Sequence, residues 1–229
     1  GILNITNGAT VKSSCGSIGN RSNSIGTTYV DGAGSSWSCD VLYVGNWGQG
    51  RLNITDGGTV SYRTGYIGYR SGSTGIVSVD GADSSLNYNN ASSDIYVGYR
   101  GQGTLNITNG GHVSCFRYGY IGHESGSTGT VSVDGAGSSW RCFSELLVGI
   151  WGQGTLEINN GGNVTCSDCT IGQALGSSGD VTVDGAGSML DCGDGGLYVG
   201  DSGQGILNIT NGATVKSSCG SIGNRSNSI

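Results

Sequence analysis

Proline is absent from the 229 residues, lysine stands only at Lys12 and Lys216, methionine only at Met189, and charged residues make up 11%. So few long charged helix formers argue against a helical architecture. No apolar run approaches the roughly 20 residues that cross a bilayer, so no membrane span is expected. No signal-peptide pattern opens the chain. It begins at a glycine in mid-pattern and reads as a segment of something longer. A net charge of −6 with no basic stripe excludes a nucleic-acid partner, because nothing would neutralise phosphates. The mild acidity fits a solvated surface.

What the chain has in quantity is glycine, 47 residues of it. Glycine-rich sequence ordinarily forms flexible linkers. Here each glycine cluster is followed by alternating Val, Ile and Leu, so the glycines punctuate turns between strands. Gly-Gln-Gly recurs at Gly48–Gly50, Gly101–Gly103, Gly152–Gly154 and Gly203–Gly205, marking a unit of about fifty residues that divides again into two similar halves. Nine coils result, starting at Gly1, Gly26, Gly50, Gly75, Gly103, Gly129, Gly154, Gly179 and Gly205. The repeat units are 1–49, 50–102, 103–153 and 154–204, and residues 205–229 repeat residues 1–25 without a change.

Within each coil a first strand alternates apolar residues, as in Leu3/Ile5, Leu52/Ile54 and Val77/Val79. Two residues later comes Asn7, Gly32, Asp56, Gly81, Asn109, Gly135, Asn160, Gly185 or Asn211, all of types that tolerate a left-handed backbone. A second strand supplies Val11, Trp37, Val60, Leu86, Val113, Trp140, Val164, Leu190 and Val215, and a third ends in Ile-Gly or Val-Gly. The expected fold is all-β: one continuous parallel β-solenoid (β-helix) over residues 1–229, about nine coils of ~25 residues with three short strands each. A β-propeller is the competitor, but it needs four antiparallel strands per unit, whereas these half-repeats superimpose head to tail. At about 4.8 Å per rung the rod is on the order of 43 Å long. The duplicated ends point to near-identical 204-residue blocks in tandem or to an overlap in a helical filament; either is an open-ended array.

The stretch GTLNITNGGHV…YIGHESGSTGTVSVDGAGSSW…LLVGIWGQG, within residues 103–154, resembles the repeat shared by type V secretion (autotransporter) passengers and PEP-CTERM-associated surface proteins. The resemblance runs over the whole chain. It implies a secreted β-helical passenger or surface fibre, extracellular or on the surface of a Gram-negative bacterium.

Cys39, Cys115, Cys142, Cys166 and Cys192 lie two residues after the second-strand apolar position, a slot that holds Tyr62 and Tyr88 in coils 3 and 4. Cys15 and Cys219 come two residues further along. Equivalent positions on neighbouring rungs fall within disulfide range, so Cys15–Cys39, Cys115–Cys142 and Cys166–Cys192 are expected to staple adjacent coils in an oxidising exterior. Cys192–Cys219 and Cys142–Cys166 are alternatives. Cys169 is expected to stay free or to pair between molecules. Cys166 and Cys169 have the spacing of a zinc half-site, but no second pair completes it, so no metal or other cofactor is expected.

His112 and His123 read as lone surface imidazoles. Asp31, Asp80, Asp134 and Asp184 recur in Val-Asp-Gly and should line one edge on alternate rungs. Without the Gly-Gly-x-Gly-x-Asp context of calcium-binding repeats, they read as turn formers bonding their own backbone. Acids that recur with the repeat do not gather into a catalytic pair, and the one irregular insertion, Asn89–Asp94, looks like a surface loop. The chain is therefore expected not to be an enzyme. Trp47, Trp151, Tyr69, Tyr99 and Tyr118 fall in turns or on outer faces, where aromatics stack on sugars or meet neighbouring filaments. The expected function is a structural segment of an extracellular filament or surface stalk whose partners are copies of itself, end to end or laterally. The alternative is an adhesin or passenger binding surface glycans, and a polysaccharide-active enzyme is more remote.

Overall fold

A computed structural model describes residues 1–225 of the chain. Among these residues there is no helix; twenty-five strands stack into a parallel β-solenoid of nine coils. The first strands, from Ile2–Thr6 through to Gln204–Thr210, form a nine-stranded sheet in which each strand pairs only with the equivalent strands of the coils before and after. The register follows the glycines: Gly26 faces Gly50, Gly50 faces Gly75, and the column runs on through Gly103, Gly129, Gly154 and Gly179 to Gly205.

The second and third strands together form a sixteen-stranded sheet. They are separate from coil 3 onward, as in Thr59–Tyr62 and Thr64–Ile67. In coils 1 and 2 they merge into Thr10–Ile18 and Ser36–Val44. Three strands per coil is thus the rule for seven of the nine. In coils 1 and 2 the chain rounds this corner extended, whereas in coil 3, with the same seven positions from Val60 to Ile67, the ladder breaks at Arg63.

Corners are set by backbone sign. Each of the nine residues from Asn7 to Asn211 named above has positive φ, between 50° and 92°. A second corner follows the third strand, where the glycine of every Ile-Gly or Val-Gly has φ between 66° and 75°. At Gly45 a Cβ would stand 2.2 Å from the Thr74 carbonyl oxygen, and at Gly75 one would stand 2.0 Å from that of Val44. Two glycine columns therefore let the third strand turn directly onto the first.

The interior is one column of apolar layers. Leu52, Ile54, Val77, Val79, Leu105 and Ile107 from the first strands, and Val60, Trp140 and Val164 from the second, are fully buried. The two tryptophans are accommodated by glycines on an adjacent rung or corner: a Cβ at Gly16 would meet the Trp37 ring at 2.2 Å, and one at Gly119 the Trp140 ring at 2.8 Å.

The backbone ladders join every coil to the next, but the side-chain bonds at the first corner alternate, which gives the fifty-residue unit a physical basis. Within a unit, the backbone N–H groups of Gly8, Gly57, Gly110 and Gly161 donate to the buried hydroxyls of Ser35, Ser84, Ser138 and Ser188 in the next coil, each at 3.0 Å. Between units the link is an aspartate. Thr55 donates to Asp31, Thr108 and Asn109 donate to Asp80, and Asn160 donates to Asp134. The aspartate carboxylates are therefore not bonding their own backbone, as the sequence reading expected; they join one unit to the next.

Candidate functional site

Two arrays of side chains stand out from the repeat: a column of thiols inside the rod and a ladder of rings on its outside. The thiols follow from strand parity, because residues two apart on a strand face the same way. All eight cysteines are free thiols in the structure. Cys115 and Cys142 are paired in register with their sulfurs 2.9 Å apart, both buried. Cys166 and Cys192 follow at 3.8 Å.

Three of the expected pairings change here. Strand register places Ser13, not Cys15, opposite Cys39, while Cys15 faces Val41 and is exposed. Cys219 faces Gly196 rather than Cys192. The expected Cys15–Cys39 staple and the Cys192–Cys219 alternative are therefore out of register by two residues. Cys142 turns its sulfur to Cys115, which disfavours Cys142–Cys166. Cys169, expected to stay free or to pair between molecules, is a free thiol wholly buried opposite Leu146 and Leu197, out of reach of another molecule. It lies three residues after Cys166, across a corner, so both sulfurs face inward.

Cys166, Cys169 and Cys192 thus form a trio. Hydrogen bonds from Cys166 and Cys169 hold the Cys192 thiol well below the usual range, and the hydrogen bonds and burial push Cys169 up. Among the described residues no cluster of three potential metal ligands has the arrangement to hold an ion.

The ring ladder occupies the outer face of the third strands. Tyr43, Tyr66, Tyr96 and Tyr120 are register partners, and their rings stack with centroids 5.2, 4.9 and 4.5 Å apart. A second column stands beyond the corner glycines. Tyr69 stacks on Tyr99 at 5.3 Å and Tyr99 on His123 at 5.1 Å, and these rings meet the first column edge to face. Burial raises the Tyr66 and Tyr120 hydroxyls to about 12. His123 is lowered by the same burial, so it is no lone surface imidazole. His112 is exposed, with Nδ1 2.8 Å from the Ser139 hydroxyl.

The flanks of the ladder carry cations over rings. The Arg70 guanidinium lies 4.7 Å from the Trp47 centroid and 4.8 Å from that of Tyr69, and Arg117 lies 5.0 Å from Tyr118. Trp47 is 50% exposed and Trp151 58%. The ladder runs on into Leu147 and Ile150, outward residues that their neighbours nevertheless cover. The signal for it was in the sequence, as Tyr-Val-Gly or Tyr-Ile-Gly in coils 2 to 5, followed by Tyr or His in coils 3 to 5. The sequence alone does not show that these tyrosines stack, because they become neighbours only once the strands are paired.

A hollow of about 600 Å³ opens at the mouth of coil 1, where Leu3, Val11, Ile18 and Trp37 line the open end of the core. It is the solenoid interior seen end-on, and although Cys15 and Ser13 line it, no carboxylate or imidazole does.

No protein-family model matches the chain, and no solved structure matches it. Two curated proteins of Escherichia coli (strain K12) are similar to parts of it. One, named uncharacterized protein YuaQ, is 30% identical over 134 residues, which is 52% of this chain and 10% of that protein. The other, named uncharacterized lipoprotein YdeK, is 31% identical over 120 residues, 50% of this chain and 8% of that protein. The chain thus spans at most about a tenth of the length of these relatives, and what it shares with them is a stretch of repeat within much longer proteins.

Proposed function

We propose that this chain is a structural segment of a bacterial surface stalk or filament, a stretch of tandem β-solenoid whose task is length and cohesion. The observation that carries the reading is the uninterrupted register. Every first-strand glycine, every positive-φ corner and every core layer continues through nine coils, and the ninth repeats the sequence of the first. Repeat arrays of this kind gain stability coil by coil, so length is added without a new fold. Similarity to a protein named a lipoprotein supports a place at the cell envelope, and similarity to small parts of long proteins supports a role as one stretch of an extended chain. The autotransporter-like repeat pattern agrees with an extracellular passenger. Electron microscopy of native material tests the reading: rods with an axial repeat of eight rungs, about 38 Å, are expected, and globular particles would overturn it.

Exposed Trp47 and Trp151, the former capped by Arg70, favour a second reading as a glycan-binding adhesin. On a glycan array, reproducible binding that is lost in Trp47→Ala would establish it.

A further inference from the structure

Among aromatic side chains, tryptophan and tyrosine are the two that give up an electron to a strong one-electron oxidant at neutral pH. The ladder places both in one chain of contacts. Trp47, 50% exposed, shares the Arg70 guanidinium with Tyr69, at 4.7 and 4.8 Å from the two ring centroids. From Tyr69 each further step is a contact between rings. Tyr43 lies 4.9 Å away and Tyr66 4.8 Å. Tyr66 meets Tyr96 at 4.9 Å and Tyr99 at 5.3 Å, and Tyr96 stacks on Tyr120 at 4.5 Å.

This run of rings is bounded within the rod. Register sets Ser17 opposite Tyr43 and Leu147 opposite Tyr120, and neither can carry a ring radical. Tyr198 stands in the same column, but Leu147 and Thr170 separate it from Tyr120. Burial raises the ladder hydroxyls because it penalises the charged phenolate. A phenoxyl radical carries no charge, so the same burial does not oppose it. Electron transfer falls steeply with distance, and rings in contact are as near as two side chains come.

We propose that the ladder is a relay for oxidising equivalents: it takes the electron deficit from an oxidised Trp47 and shares it among the tyrosines of coils 2 to 5. An external one-electron acceptor removes an electron from Trp47, whose N–H proton goes to water and leaves a neutral indolyl radical. A neighbouring phenol then gives up one electron and its proton, the indole nitrogen regains a proton, and a phenoxyl radical remains in place of the indolyl radical. Each later step exchanges one electron and one proton between a phenol and a phenoxyl radical. The ladder rings are partly exposed, so water along the outer face accepts and returns the protons. The relay belongs to coils 2 to 5 alone and holds whether or not the chain serves as a stalk.

Lifetime is the first readout. Trp151→Phe leaves Trp47 as the exposed tryptophan, because Trp37 is 5% and Trp140 0% exposed. In that background, photogenerated ruthenium(III) tris-bipyridine serves as the oxidant, and transient absorption follows the indolyl radical and the phenoxyl radical that succeeds it. Adding Tyr43→Phe, Tyr66→Phe and Tyr69→Phe keeps a ring at each place in the stack and removes the phenols nearest Trp47. The indolyl radical is then expected to live about tenfold longer. An unchanged lifetime in the folded variant overturns the proposal.

Position is the second readout, and it stands even if that variant fails to fold. In the same Trp151→Phe background, a nitroso spin trap followed by peptide mapping locates the phenoxyl radical. Tyr29, 42% exposed, lies on a first strand away from the ladder, so direct attack by the oxidant marks it first. The relay instead marks Tyr66, Tyr96 and Tyr120 above both Tyr29 and Tyr198. Tyr96→Phe/Tyr99→Phe cuts both columns at coil 4 and is expected to abolish the mark at Tyr120 while Tyr66 and Tyr69 keep theirs. Marking that follows exposure overturns the proposal, and so does a mark at Tyr120 that survives the cut.

Discussion

Gly45 and Gly72 both have φ near +75°, yet only Gly45 has backbone against the place its Cβ would occupy. Gly72→Ala bears the left-handed penalty alone, about 1 kcal/mol. Gly45→Ala adds the collision with the Thr74 carbonyl, so a loss on the order of 3 kcal/mol is expected. Urea unfolding of the two variants measures the difference, and equal losses would show that close approach is not what the glycine column serves. At the same scale stands His123. Its folded pKa lies below the ordinary 6.5, so the unfolded chain binds the proton first. Its contribution is intact above pH 6.5 and is lost as pH falls through 6.5 toward the lower folded value. Glu124 at 3.5 Å opposes that shift and Arg100 reinforces it. Thermal melts at about pH 7.5 and about pH 5.5 should therefore differ more for the unsubstituted chain than for His123→Tyr, which keeps a ring in the ladder and removes the titration.

Elements add the register that single residues lack. Cys115–Cys142 and Cys166–Cys192 are the two pairs that register and sulfur proximity favour. With oxidised glutathione each bridge forms as two thiols lose their hydrogens and the glutathione disulfide is reduced to two thiols. Peptide mapping should then recover those two bridges, leave Cys169 unalkylated until unfolding, and show a gain of about 2–4 kcal/mol. Bridges to Cys15 or Cys219 would contradict the register. Asp80→Ala, which strands Thr108 and Asn109, should cost about 1 kcal/mol in chemical denaturation. The coil boundaries, the nine left-handed corners and the core slots were legible in the sequence because each recurs at a fixed offset from a glycine. The partners of Asp80, the inward turn of Cys169 and the tyrosine ladder were not. They depend on which residue of the next rung, some 25 positions away, stands opposite, and a one- or two-residue shift such as that of Cys15 is invisible until strands are paired.

At the scale of the whole molecule, stability is a sum of nearest-neighbour contacts, each coil resting on the one before and the one after. The alternation of links between coils has a mechanical consequence. Pulled along its axis, the rod meets two kinds of corner joint in turn, bonds to buried serine hydroxyls inside each unit and bonds from exposed asparagines to aspartates between units. The exposed joints yield first, so the rod should lengthen in jumps of one fifty-residue unit, roughly 170 Å of released chain at about 3.4 Å per residue. Single-molecule extension curves would show this as a sawtooth with that spacing, and teeth half as far apart would mean that every coil breaks alone.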